Sequence, residues 1–552
     1  MKYVTIVLFF LVLVLPFGIR QFVAGPERVV TDGPMEELSL RIVTPHNQDI
    51  RREFARAFNN WHRTNFGTGV DIIYLTPGGT NDIIRLLESK YKGNLVVLQD
   101  NATVDPGQPV MPPATQPASQ PATKYHLMDR SIDIDLFWGG GDFEFNRCKR
   151  LIIAKSGQLF SVLAPMPMTD TMRAALAAAF PSQSLNGVRL VDTFTDTVGP
   201  QWVGVCLSEF GIVYNPTVFR DLGLDPPTKW ADMASPKLMG FVALADPTRS
   251  GSAGVTYMMI LQRAMADEEE KLLATRADLA AMKPADRAKD PAHRAAIETG
   301  FTRGMAQLLF IAANSRYFTD SASIVPKDVS TGDAAIGTAI DFYGRTFEEQ
   351  VGAERIRYVS PVASTAVTPD PIAILHGTFG KRLDLASRFV EFLLTPEAQH
   401  IWIKKAGTTG GPTERSLRRP PVRQDVYANQ TDWSDKVNAF ASTGGFNQRA
   451  EWMGWYSSIR PVWAAAWIDT REPLRRAYRS IMAVPDAARR QALLDELGAI
   501  PITLSQIEND SATARTIQRD QPQDAPQILA RRRIDWAKKL AVHYNAVAAK
   551  AR

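Results

Sequence analysis

FVALADPTRSGSAGVTYMMIL, residues 241–261, decides the fold of this chain. Its first five residues are apolar and read as a short buried strand. The polar stretch DPTRSGS (246–252) makes a turn, and a helix begins at about Ala253. A strand that feeds a helix through Ser250, Gly251 and Ser252 presents free backbone N–H groups and two hydroxyls at the positive end of that helix. Such an end binds an anion without further machinery. Either serine can also serve only as a helix cap, and the junction alone leaves both roles open.

Outward from this junction the same grammar recurs. LSLRIV (38–43) alternates as a strand, TPHN (44–47) turns, and Ile50, Phe54, Phe58 and Trp61 mark the buried stripe of a helix. VDIIY (70–74) is a second strand, ending at PGGT (77–80) before a helix over 81–91. Residues 132–137 read as a strand running into WGGG (138–141). Strand–helix–strand–helix order specifies a mostly parallel α/β lobe. A second block opens near residue 197, with strands over 202–207 and 211–214 that cross between lobes. A charged helical insertion at 267–299, broken at Lys283-Pro284, reads as solvent-exposed. Strands follow at 339–343, 356–359 and 371–375, then a helix over 383–394. From 437 to 552 the chain is Trp- and Arg-rich and helical, with a break at 518–526. The Pro/Ala/Thr-rich stretch 100–124 is a loop insertion within the first lobe.

Composition sets the bounds. A chain of 552 residues exceeds one ordinary core, so it divides into lobes. With 45% hydrophobic and 22% charged residues it is globular. The net charge of +5 sits in the tail, where 471–552 holds 15 Lys and Arg against 9 Asp and Glu. The main body therefore has no basic face for nucleic acid. Met1-Lys2 precedes an apolar run at 6–17, the length of a signal-peptide core, so 1–24 reads as a signal peptide or an uncleaved anchor of an exported protein. Cys148 and Cys206 show no metal-ligand spacing, and whether they pair is open.

Four strand-to-loop junctions carry glycines or small polar residues: 44–47, 77–80, 139–141 and 246–252. In an open α/β sheet such loops converge on the ligand crevice. Thr44, His46, Asn47, Gly79, Thr80, Ser250, Gly251 and Ser252 are therefore the candidate ligand contacts. His46 can equally be a packing or hydrogen-bonding residue.

These segments resemble a known family. LRIVTPHN (40–47), GGTNDI (78–83), IDLFWGGG (134–141) and FGIVYN (210–215), with Trp202 before it, are similar to the ferric-type extracellular solute-binding proteins of bacterial ABC importers. LGL (222–224), WADM (230–233), ADPTRSGS (245–252), DPIAIL (370–375) and FLLTPEAQ (392–399) extend the resemblance over about 38–427. It implies an α/β, two-lobed clamp of the type 2 periplasmic-binding-protein fold with mostly parallel sheets, here followed by a helical C-terminal extension. The expected divisions are lobe 1 at 38–200, lobe 2 at 201–345, a return to lobe 1 at 346–436 and the extension at 437–552.

The resemblance further implies a periplasmic or extracytoplasmic monomer that captures a small-molecule solute and delivers it to an ABC permease, with no chemistry, no cofactor and no nucleic acid. The Ser250–Ser252 loop matches one that holds an oxyanion in iron-binding members, and favours an anionic, phosphorylated or polyhydroxylated solute. Iron-binding members place adjacent tyrosines after a strand; here the stretch reads Asp341-Phe342-Tyr343. Asp341 and Tyr343 are the candidates carried over, and Tyr343 with His46 the weak metal candidates. The alternative, a ferric ion with a synergistic anion, is weakened because a phenyl ring cannot ligate. A ligand sensor and an enzyme on the same scaffold are further alternatives. The chain contains no Gly-x-Ser-x-Gly elbow, His-Glu-x-x-His pair or Walker loop.

Overall fold

The computed structural model describes residues 27–29, 34–97, 125–152, 158–440, 446, 448–520 and 525–552. The N-terminal segment 1–24 and the insertion 100–124 lie outside the described residues, as does the centre of the 518–526 break. Two large mixed sheets carry the fold. In the first, the spatial order is Glu27–Val29, Ile72–Leu75, Leu40–Val43, Leu136–Trp138, Thr368–Leu375, Val203–Ser208. Leu40–Val43 lies parallel to both neighbours, so the chain must cross over the sheet to make each connection. The helices Gln48–Phe66 and Thr80–Lys92 lie on those crossovers.

The first of these helices shows how sequence dictates the packing. Asn47 Oδ1 accepts the Ile50 N–H at 3.1 Å and starts the helix, and Gly67 ends it with a left-handed φ of 82°. Ile50, Phe54 and Phe58 are buried on one face and Trp61 is half-buried. They pack against Trp138, Phe389 and Phe392. Each fully buried side chain of this kind contributes roughly 1.5–3 kcal/mol of transfer free energy.

The second sheet has the order Ser315–Thr319, Val242–Ala245, Ile336–Ile340, Phe210–Tyr214, Arg357–Val359. Val242–Ala245 is parallel to both of its neighbours, and the helix Gly251–Thr275 follows it. The chain passes between the sheets twice. Val203–Ser208 belongs to the first sheet and Phe210–Tyr214 to the second, with Glu209 alone between them. The second passage joins Arg357–Val359 to Thr368–Leu375. Two lobes joined by adjacent extended crossings can hinge with little repacking.

Several local expectations change. Residues 132–135 do not pair as a strand; Asp133 adopts φ 61°, and the buried Asp135 carboxylate accepts the Arg41 N–H at 2.8 Å. The strand expected at 339–343 ends at Ile340, because the helix Asp341–Val351 begins there. The second sheet also keeps Arg357–Val359, so the first sheet is re-entered at Thr368 rather than at 346. The insertion at 267–299 is helical and breaks at Pro284, which occupies the first turn of a short helix, Pro284–Arg287. It is not simply solvent-exposed. The long helices Gly251–Thr275 and Pro291–Ala313 bury Glu269, His293 and Ile297 between themselves and the extension.

Residues 404–440 fold back on the first lobe, where Leu207 N–H donates to Pro420 O and Val422 N–H to Gln399 Oε1. The C-terminal extension instead joins the second lobe's core. Trp455, Tyr456, Trp463 and Trp467 pack with Tyr257, Phe301 and Met305. A buried ion cluster pins it, since Glu269 takes His293 Nε2 at 2.9 Å and Arg449 Nη2 at 2.5 Å. Cys148 and Cys206 are both free and buried, in separate apolar clusters. Among the described residues no helix is long and apolar enough to cross a membrane.

Candidate functional site

The junction at 246–252 faces the first lobe. Val242–Ala245 is fixed beneath it by the Tyr257 hydroxyl, which donates to Ala245 O at 2.9 Å. Asp246 then shapes the turn, its Oδ1 accepting the Thr248 N–H at 2.7 Å and the Thr248 hydroxyl at 2.6 Å. Ser250 caps the helix by accepting the Ala253 N–H at 3.3 Å, and its hydroxyl lies 3.3 Å from that of Ser252. Gly254 N–H reaches Ser250 O. By helix geometry the N–H groups of Gly251 and Ser252 have no partner within the helix, and they stand at its positive end.

Across the gap lie Thr80, Asn81, Gly140 and Glu144 of the first lobe. A side chain placed on Gly251 would begin 3.1 Å from Glu144 Oε1 and 3.4 Å from Thr80 Oγ1. Glycine at 251 therefore permits the close approach of the two lobes. Asn81 Nδ2 donates to Arg249 O at 3.5 Å, a second bridge between them. On the first-lobe wall Gly140 has φ 123°, a left-handed value, and a side chain there would strike Thr80 Cγ2 at 2.6 Å. Gly79, at the N-cap of Thr80–Lys92, is exposed, with its N–H held by Asp82 Oδ2 at 3.2 Å.

The extension closes the third side. Tyr456 donates its hydroxyl to Gly251 O at 3.3 Å and stacks edge-on against Phe143 at 4.7 Å. Arg460 donates through Nε to Pro247 O and lies over the Tyr456 ring, 5.3 Å from its centroid. Burial pushes the Glu144 carboxyl above its ordinary range, against the pull of Arg460.

A different cluster occupies the hinge end. His46 is buried against Trp138, 4.6 Å between ring centres, and its Nε2 lies 3.1 Å from Asp370 Oδ2. Asp370 also accepts the Gly140 N–H at 2.9 Å and an ion pair from Arg419. Arg419 in turn donates to Ser208 Oγ at 2.7 Å and lies over the Phe342 ring, 4.4 Å from its centroid. Although desolvation opposes it, the Arg419 and His46 partners hold the Asp370 carboxyl down at about 2. Burial lowers the His46 pKa, and His46 Nδ1 has no partner. A neutral ring with its proton on Nε2 donates to Asp370 and leaves only an acceptor unsatisfied.

The sequence-derived residues thus fall into two groups. Thr80, Ser250, Gly251 and Ser252 come together across the lobes, with Gly79 beside them. Thr44, His46 and Asn47 are instead held by contacts within the first lobe: Thr44 Oγ1 accepts the His46 N–H at 3.1 Å, His46 meets Asp370, and Asn47 caps its helix. Asp341 and Tyr343 stand at the hinge near Arg419. Burial, with Glu209 nearby, raises the Asp341 carboxyl to about 7, and burial raises the Tyr343 phenol. Glu144, Asp370, Arg419, Tyr456 and Arg460 were not singled out from sequence. Asp370 stood in a strand read only as structural, and the other pairings join distant parts of the chain that no local pattern links.

Comparison with known proteins adds the family. Residues 176–435 match the model described as a bacterial extracellular solute-binding protein. That match takes in 260 of the chain's 552 residues, just under half. A 201-residue stretch is 23% identical to the phosphoglycerate transport regulatory protein PgtC of Salmonella typhimurium, covering 36% of this chain and 40% of that protein. The match therefore spans well under half of the relative's length. Among solved structures, the periplasmic binding protein AfuA from Actinobacillus pleuropneumoniae, with fructose-6-phosphate bound, is 15% identical with a TM-score of 0.44. It covers 77% of this chain and 99% of its own. Iron-bound HitA from Pseudomonas aeruginosa is 14% identical with a TM-score of 0.42, covering 76% and 96%. Both crossings between the sheets lie within the matched stretch.

Proposed function

We propose that this chain is the extracytoplasmic solute-binding component of an ABC importer. It captures a small anionic, phosphorylated or polyhydroxylated solute between its lobes and delivers it to a membrane permease. The observation that carries this reading is the start of Gly251–Thr275, beside the Ser250 and Ser252 hydroxyls, where a side chain on Gly251 would begin 3.1 Å from Glu144 Oε1 and 3.4 Å from Thr80 Oγ1 of the other lobe. A solute held there contacts both lobes and so favours the closed form over the open one. The curated relative's description as a phosphoglycerate transport regulatory protein supports a phosphorylated organic acid as the solute class.

The reading includes no metal and no cofactor. A ferric cargo needs anionic oxygen donors. Phe342 offers none, the Tyr343 phenol resists ionisation, and Asp370 is already engaged by His46 and Arg419. Among the described residues no group of three or more His, Cys, Asp or Glu is arranged to hold a metal ion. The reading also includes no chemistry. Ser208, His46 and Asp370 resemble a catalytic triad by type only, because the Ser208 hydroxyl is bonded to Arg419 and not to the imidazole. The protein acts as a monomer without nucleic acid.

A thermal-shift screen of the intact protein tests this. Stabilisation by a bound solute reaches about 2.7 kcal/mol at one hundred times its dissociation constant. 3-Phosphoglycerate or fructose 6-phosphate should raise the melting midpoint and ferric citrate should not. Stabilisation by ferric citrate alone, or turnover of either phosphate, would contradict the reading.

A further inference from the structure

Two buried charged side chains at the mouth of the cleft each leave one polar atom unpaired. Glu144 is 3% exposed, yet its Oε1 accepts no hydrogen bond, and it points at Gly251. Arg460 is 7% exposed, and its Nη2 donates to nothing, although Nε is anchored on Pro247 O. The two lie close enough to feel each other's charge without touching. An unpaired buried donor and an unpaired buried acceptor are each costly, so a pair of them across one gap calls for a bridging group. The bridge must accept from Arg460 and donate to Glu144. The N–H groups at the start of Gly251–Thr275 add further donors on the Arg460 side.

We infer that the C-terminal extension is part of the binding site, with Arg460 and the start of Gly251–Thr275 holding the anionic group of the solute while Glu144 accepts a hydroxyl beside it. The ligand class is a small hydroxylated phosphate or carboxylate anion. Tyr456 positions Arg460 by lying under its guanidinium and tying the extension to Gly251 O. The extension is thereby a specificity element, and not only a stabilising buttress of the second lobe. Glu144 also disfavours an anion that brings no hydroxyl, because a bare anionic oxygen beside it has no proton to donate. This inference rests on the interlobe cleft being the solute site.

Calorimetric titration with 3-phosphoglycerate and with inorganic phosphate tests it. Arg460→Met should weaken 3-phosphoglycerate at least tenfold, and Arg460→Lys should restore part of the loss. Glu144→Gln should narrow the preference for 3-phosphoglycerate over inorganic phosphate. Hydrogen exchange on the unmodified protein provides a readout independent of variant folding. Adding 3-phosphoglycerate should slow exchange in the Tyr456–Ala464 helix as well as at the start of Gly251–Thr275. If Ser252→Ala weakens binding while Arg460→Met does not, and 456–464 gains no protection, the cleft stands and the role of the extension falls. If neither variant changes the affinity, or the unmodified protein binds neither probe, the cleft reading falls and takes this inference with it.

Discussion

The hinge end and the mouth of the cleft are both buried and both charged, yet the charges of the first form ion pairs and those of the second do not. At the hinge the charges pair with one another: Asp370 takes Arg419, His46 and the Gly140 N–H, and Glu209 takes Arg345 at 3.2 Å and the Ser360 hydroxyl at 3.0 Å, while Arg419 Nε and His46 Nδ1 are left unpaired. At the mouth Glu144 Oε1 and Arg460 Nη2 are unpaired, and no ion pair joins the two side chains. Paired buried charges fix geometry, and removing one partner strands the other. Unpaired ones leave a donor and an acceptor for which the proposed solute would supply partners. The difference separates the part of the molecule that sets the hinge from the part proposed to read the solute.

The largest expected effect lies at the hinge. Asp370→Ala leaves Arg419 charged and buried, and should cost about 3–5 kcal/mol in urea unfolding. A loss below about 1 kcal/mol would mean that the hinge cluster is as loosely paired as the mouth. Ser250→Ala is smaller: it removes a helix cap for about 1 kcal/mol of stability. It should also weaken 3-phosphoglycerate binding, whereas Asn47→Ala, a cap away from the gap, should cost similar stability and leave binding unchanged. Equal binding losses from both would erase the distinction between a cap and a contact.

The smallest effect is a pH dependence of opposite sign at two neighbouring carboxyls. Asp370 is held at about 2, below its ordinary value of 3.8, so its contribution is present above pH 3.8 and lost as pH falls towards 2. Asp341 is raised to about 7, so the folded protein keeps a proton that the unfolded chain has released. Its contribution is full below pH 3.8 and lost as pH rises through 7. Asp341→Asn should therefore raise the melting midpoint by about 2–4 °C at pH 8 and leave it unchanged at pH 4. An equal shift at both pH values would show that Asp341 is ionised throughout.

Much of the frame was legible in the sequence because it rests on local periodicity. The stripe Ile50, Phe54 and Phe58, the cap at Asn47 and the strand-to-helix junction at Ser250 each follow from residues within a few positions of one another. The crossings were legible as apolar runs at 202–207 and 211–214, while their exact ends were not. The strand expected through Tyr343 failed because Phe342 and Tyr343 are β-prone by composition, yet the chain turns into a helix at Asp341. The mouth was half legible. Thr80 and Ser250–Ser252 carried the turn chemistry of a cleft loop, but Glu144 stood in a short helix with no distinguishing pattern. Arg460 belongs to a Trp- and Arg-rich tail whose docking on Pro247 no spacing could reveal. His46 looked like a cleft residue from its loop, and Trp138 and Asp370 draw it inward instead.

The most direct measurement is a calorimetric titration of the intact protein with 3-phosphoglycerate, repeated on Gly251→Val. The valine side chain would start 3.1 Å from Glu144 Oε1 and 3.4 Å from Thr80 Oγ1, so it should hold the lobes apart at the proposed solute position. The unmodified protein should bind, and the variant should lose affinity at least a hundredfold while keeping its helical circular dichroism. Undiminished binding by a folded Gly251→Val variant would contradict capture of the solute between the Ser250–Ser252 junction and the first lobe.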